Sequence, residues 1–221
     1  MPRELEKVPS VTTPESLFFT GINATILGED QFKSIKTEHG FTSGFRGTWK
    51  SERDGLYLYV KGKMNFENES QAVDSLHMAQ YLTAKDVLYP HTQWGIYKTL
   101  EGRYQLFAVT RELEGWTPEG DKVPGRQKVL ADIGEEYNNI FCEGSHVLEW
   151  MKRVDPDFDP NSRPKNELVL LLNWVEASHR DNWAWDEKGK LYPIDIEVLS
   201  LGAEEYQLII ANWAKADKQE N

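Results

Sequence analysis

The hydrophobic pattern changes character halfway along the chain, and this change constrains the fold more than any other feature. Up to about Glu114 the apolar residues fall mostly in short runs bounded by turn signals. Thr48–Lys50 and Leu56–Lys61 flank Ser51-Glu-Arg-Asp-Gly55, whose Asp-Gly step predicts a hairpin. Gln93–Thr99 and Arg103–Arg111 flank Leu100-Glu-Gly102, which predicts a second hairpin. Gln31–Lys36 alternates weakly. Between the hairpins, Ala72, Val73, Leu76, Ala79 and Leu82 recur at three- and four-residue spacing, predicting a helix over Glu69–Thr83 capped by Asn68 or Asn65. Pro118, Gly120, Pro124 and Gly125 then mark a linker over Trp116–Arg126. Beyond it, Val129–Asn139, Ser145–Arg153, Asn166–Glu176 and Glu204–Lys215 read as helices. A short third hairpin, Trp183–Trp185 with Leu191–Asp195, lies among them.

The expectation is an α+β fold in two lobes. Residues 1–16, with Pro2, Pro9 and Pro14, form a loosely held arm. Residues 17–115 form a β-rich N-terminal lobe with one helix, and residues 116–221 a mainly helical C-terminal lobe, with a cleft at the join. At 221 residues, 39% hydrophobic and with eight Trp, the chain can build a real core. Its net charge of −11 argues against non-specific nucleic-acid binding, which needs a positive field. Cys142 is the only cysteine, which excludes an internal disulfide and any multi-cysteine zinc site. No apolar run reaches the ~18 residues of a membrane span. The charged N-terminus has no apolar stretch after it and does not read as a signal peptide. These features suit a cytoplasmic protein.

The chemistry-bearing stretch runs from Glu176 to Glu197. It places His179, Arg180, Asp181 and Asn182 in a loop after an apolar helix, and Asp195 at the end of the third hairpin. Asp195 follows Leu191, Tyr192 and Ile194, so it ends an apolar strand. An acid there, near an Asn and an Asp from the adjoining loop, is oxygen chemistry suited to Mg²⁺. The other histidines are scattered, and no Gly-x-Ser-x-Gly elbow accompanies Ser145 or Ser178.

This stretch resembles the protein-kinase-like superfamily. His179-Arg180-Asp181 spells its catalytic-loop triplet, and Asp195-Ile-Glu197 stands where these folds carry Asp-Phe-Gly or Asp-Phe-Glu. The interval of 13 residues from Asn182 to Asp195 is similar to that between the metal-binding Asn and Asp of protein and phosphatidylinositol kinases. The resemblance implies that Asn182 and Asp195 hold Mg²⁺ against the phosphates of ATP, and that Asp181 orients or deprotonates the acceptor hydroxyl. One departure stands out. The usual base position, five residues before the Asn, is Ala177 here, with Glu176 as a further stand-in. A register using Asp186 in place of Asn182 leaves an interval of only nine residues to Asp195, too short for the hairpin.

The same resemblance extends by element order over roughly residues 31–210. Leu58-Tyr-Val-Lys61 looks like the strand whose lysine binds the α/β-phosphates, with Lys63 as rival. Asp74 or Glu69 would supply the acid paired with that lysine. Val109–Gly115 looks like the hinge strand, and Gly40, Gly44 and Gly47 mark a phosphate-covering loop. The implied function is ATP- and Mg-dependent phosphotransfer to a hydroxyl on an unknown small-molecule or protein acceptor. Transfer of AMP is a chemical variant. An inactive pseudokinase serving as a binding module is the alternative.

Overall fold

A computed structural model describes residues 26–43, 47–111, 145–159, 165, 168, 171, 183–186, 188 and 190–193. The first element, β1 (Leu27–Gly28), leads directly into α1 (Glu29–Glu38). This helix occupies the segment whose weak alternation suggested a strand. Local chemistry explains the difference. Glu29 and Asp30 lie in its first turn and Lys36 in its last, matching the helix dipole. The Gln31 side chain accepts the Gly28 amide at 2.7 Å, and Glu29 pairs with Lys33 one turn on at 2.9 Å.

The chain then forms β2 (Phe41–Ser43), β3 (Thr48–Ser51), β4 (Leu56–Phe66), α2 (Glu69–Ala84), β5 (Thr92–Lys98) and β6 (Tyr104–Arg111). The two hairpins and the intervening helix fall where the sequence pattern put them. Gly55, with φ +62°, supplies the left-handed turn between β3 and β4. Asn68 is the N-cap of α2, though its side chain makes no capping bond, and Asn65 belongs to β4.

These strands make one mixed sheet in the order β1-β5-β6-β4-β3-β2, antiparallel except for β1 against β5. Register assigns its two faces. Leu58 opposes Val109 and Val60 opposes Phe107, so Leu56, Leu58, Phe107 and Val109 share one face. There they cluster with Phe41 and with Phe32 of α1, whose ring stacks on Tyr97 at 4.1 Å. The opposite face carries Trp94, Ile96, Tyr104, Leu106 and Ala108, and α2 lies across it. The Trp94 indole donates to Thr83 Oγ1 at 2.9 Å, and the Tyr104 phenol donates to Glu69 at 2.9 Å. The β-rich unit therefore carries a helix on each face of the sheet, where the sequence pattern had indicated only one helix.

Among the described residues of the second half, α3 (Ser145–Val154) and the hairpin β7 (Trp183–Trp185) with β8 (Leu191–Pro193) are formed. The class is α+β. The arm over residues 1–16, the linker and the helices expected at Val129–Asn139 and Glu204–Lys215 lie outside the described residues. So does most of Asn166–Glu176, where Leu168 and Leu171 are helical and buried. No described helix is long and apolar enough to cross a membrane.

Candidate functional site

The β7–β8 hairpin directly follows the sequence-predicted loop in the chain. Trp183 pairs with Pro193, Ala184 with Tyr192 and Trp185 with Leu191. Ala184, Leu191 and Tyr192 are buried, as expected of an apolar strand pair inside the fold. Its closed end is built by Asp186. The Asp186 carboxylate accepts the amides of Lys188 and Lys190 at 2.9 and 2.8 Å, and its own amide donates to Lys190 O. One oxygen of Asp186 thus closes the turn. It sits at the end of the hairpin away from Trp183 and Pro193, beyond which the chain continues to Asn182 on one side and Asp195 on the other. Asp181, Asn182 and Asp195 themselves lie outside the described residues.

Lys61 lies on β4, in the stretch where pairing with β6 slips between Val60 and Asn65. Its side chain, like that of Lys63, lies outside the described set. Of the two acids offered as its partner, Glu69 begins α2 and accepts the Tyr104 phenol. Asp74 lies one and a half turns further along, half-buried. Burial holds the Asp74 carboxyl above the usual carboxylate range, partly countered by His77.

The glycine-marked segment before β3 has a structural purpose at its end. Gly47 has φ +78°, and a Cβ there would come within 2.7 Å of the Val60 carbonyl oxygen. Its own carbonyl accepts the Val60 amide at 2.9 Å. Only glycine lets this backbone lie so close to β4. Gly44 lies outside the described residues.

Beside α2, the same sheet face carries an aromatic pair that the sequence argument did not single out. Tyr57 and Tyr59 are cross-strand from Lys50 and Thr48 on β3, and from Thr110 and Ala108 on β6. The two phenol rings lie 5.9 Å apart and near parallel, with Lys50 Nζ 5.5 Å from the Tyr57 ring. Both tyrosines remain partly exposed.

The sheet unit, α3 and the hairpin meet at the loop after α2. Helix α2 ends in a Schellman arrangement: the Val87 amide donates to Leu82 O at 2.9 Å and the Asp86 amide to Thr83 O at 3.1 Å. The left-handed position of that motif usually holds glycine. Here it holds Asp86, at φ +59°, at a cost of about 1 kcal/mol or more. The Asp86 carboxylate accepts the Tyr192 phenol at 2.6 Å and pairs with Lys190. The Asp86 carbonyl accepts Arg153 of α3, which also donates to Leu191 O and lies over the Tyr192 ring at 4.8 Å. The Trp150 indole, fully buried, donates to Val87 O at 2.9 Å. The Tyr89 ring meets Tyr192 edge-on at 5.4 Å. Burial, with Arg153 opposing it, pushes the Tyr192 phenol up to about 12. These partners lie 38 to 106 residues apart in the chain, so no local pattern announces them. The one available signal is a non-glycine residue at a helix stop.

Among the described residues, no group of three or more His, Cys, Asp or Glu is placed to hold a metal ion. No family model, curated protein or solved structure matches the chain.

Proposed function

We propose that the chain is an ATP- and Mg-dependent phosphotransferase acting on a hydroxyl acceptor, built as a compact two-lobed kinase-like fold. The observation that carries this reading is the hairpin. Its open end leads into Asn182 and Asp195, while Asp186, the rival metal ligand, accepts two turn amides at the closed end. The succession β4, α2, β5, β6 adds support. It is the order in which the resemblance requires the lysine strand, the acid-bearing helix and the strand that runs into the hinge.

In this reading Asn182 and Asp195 hold Mg²⁺, which when bound neutralises the β- and γ-phosphate charge. Lys61 contacts the α- and β-phosphates. Asp74 pairs with Lys61, since Glu69 is engaged by Tyr104 and a half-buried carboxyl gains from a facing cation. Tyr57 and Tyr59 offer a pair of near-parallel, partly exposed rings on the face of the sheet that carries α2. Asp181 orients the acceptor hydroxyl. The lone Cys142 accords with a cytosolic setting. The alternative of a pseudokinase binding module is favoured by one observation, Ala177 at the usual base position.

The test is thermal unfolding with and without ATP and Mg²⁺, using Asp195→Ala as control. Nucleotide at ~100 times its dissociation constant adds about 2.7 kcal/mol, or roughly 5–10 °C for a chain of this size. A Mg-dependent rise that Asp195→Ala abolishes supports the site. Turnover that then disappears in Asp181→Ala excludes the pseudokinase. No shift at millimolar nucleotide, or full ATP consumption by Asp195→Ala, overturns the proposal.

A further inference from the structure

The residue that ends α2 is chemically unexpected. A Schellman motif accepts glycine without strain, yet Asp86 occupies the left-handed position. Its side chain faces away from its own helix. The carboxylate reaches Lys190 and Tyr192, which flank Leu191 on the hairpin, 104 and 106 residues further along the chain. Its carbonyl takes Arg153 of α3, and Arg153 reaches on to Leu191 O. One residue therefore holds three elements through two different groups.

We propose that Asp86 is a positioning latch. From the end of α2 it sets where the β7–β8 hairpin lies relative to the sheet, and so where the residues leaving the hairpin's open end are held. The first half of this statement stands on contacts alone. The second deepens the phosphotransferase reading and rests on it, because only there do Asn182 and Asp195 act on a ligand.

The geometry fits a latch better than a simple helix stop. A helix stop needs only the backbone conformation, which glycine adopts more readily. The carboxylate adds nothing to the Schellman bonds, which run between backbone groups of residues 82 to 87. What it does add is a charge-assisted contact to the phenol of Tyr192, whose ring is already held between Arg153 and Tyr89. The grip is therefore on a side chain with little freedom of its own, so displacement of Asp86 is transmitted to β8. Lys190 sits where the turn enters β8, and its ammonium is partly desolvated there. It gives the same carboxylate a second hold beside the first.

The experiment is amide hydrogen exchange by mass spectrometry on the full chain without ligand, comparing wild type, Asp86→Gly and Tyr192→Phe. Asp86→Gly removes the carboxylate while relieving the backbone, so it preserves or improves the end of α2. The latch predicts exchange about tenfold faster over Trp183–Pro193, the factor set by roughly 1.4 kcal/mol of lost coupling, with β5 and β6 unchanged. Tyr192→Phe, which keeps the ring and loses only the phenol, accelerates the same segment by a smaller factor. Unchanged exchange over the hairpin in both variants overturns the latch. So does equal acceleration over hairpin, β5 and β6, which would make Asp86 a contributor to general stability only. Thermal shift with ATP and Mg²⁺ on the same proteins reads the other reading independently. In wild type, no shift defeats the phosphotransferase and leaves the exchange result standing. Where wild type shifts, the latch predicts that Asp86→Gly needs several-fold more Mg²⁺ for half the effect, and an unchanged Mg²⁺ requirement overturns its positioning role.

Discussion

Replacing Thr83 by valine tests how α2 is fastened to the sheet. Thr83 is buried, and its hydroxyl works in two directions: it donates to Ala79 O at 2.7 Å and accepts the Trp94 indole N–H at 2.9 Å. Valine has nearly the same shape, so no cavity forms. The bond to Ala79 O costs little when lost, because that carbonyl still serves its own helix. The Trp94 N–H is different. The side chain is only 4% exposed, so the donor is left in the interior without an acceptor, at a cost of about 1–3 kcal/mol. At roughly 2–4 °C per kcal/mol, a central value near 2 kcal/mol lowers Tm by about 4–8 °C. The assay is a double-mutant cycle of Thr83→Val and Trp94→Phe, followed by urea denaturation and far-ultraviolet circular dichroism. Phenylalanine carries no N–H, so Thr83→Val becomes much less costly in that background, and the coupling comes to about 1–2 kcal/mol. Coupling under about 0.5 kcal/mol refutes the argument that this bond, rather than packing, joins α2 to β5.

Three further outcomes follow from the same structure. Gly47→Ala is destabilising by about 1–3 kcal/mol, because it combines a left-handed backbone with a 2.7 Å approach to Val60 O, whereas Gly55→Ala, left-handed but in open space, costs less; equal denaturation midpoints would contradict this. Tyr192 binds its proton more tightly folded than unfolded, so its contribution is whole below pH 10 and drains away as pH rises toward about 12. About 1 kcal/mol is gone by pH 11, and Tyr192→Phe shows a correspondingly flatter stability profile between pH 9 and 11. Asp74→Asn lowers kcat/KM for ATP by about tenfold or more, near 1.4 kcal/mol, while Glu69→Gln changes it little; the reverse order in a coupled ATPase assay would give the lysine-pairing role to Glu69.

Much of the fold was legible because short-range physics dictates it. Turn chemistry at Asp54-Gly55 and Glu101-Gly102, together with helical spacing over Glu69–Thr83, located two hairpins and α2 without knowledge of any distant contact. The third hairpin was legible for the same reason: Asp186 closes its own turn through neighbours two and four residues away. Helix α1 was not. Three of its residues, Phe32, Ile35 and Lys36, pack against the sheet side, and over the six residues Gln31–Lys36 their period is confused with alternation. What turns Phe32 inward is the sheet face of Tyr97 and Phe107, more than sixty residues away.

The candidate site divides in the same way. By itself the sequence determined an Asn and an Asp bracketing a short hairpin, because spacing along one chain segment is a local property. It could not indicate that Asp86, Arg153, Lys190 and Tyr192 converge, since neither propensity nor periodicity carries information between residues so far apart in the chain. That convergence exists only once the sheet unit, α3 and the hairpin have packed. A carboxylate at a helix stop and a phenol on a short strand are each unremarkable until tertiary packing brings them to 2.6 Å, where the ionised acceptor strengthens the contact.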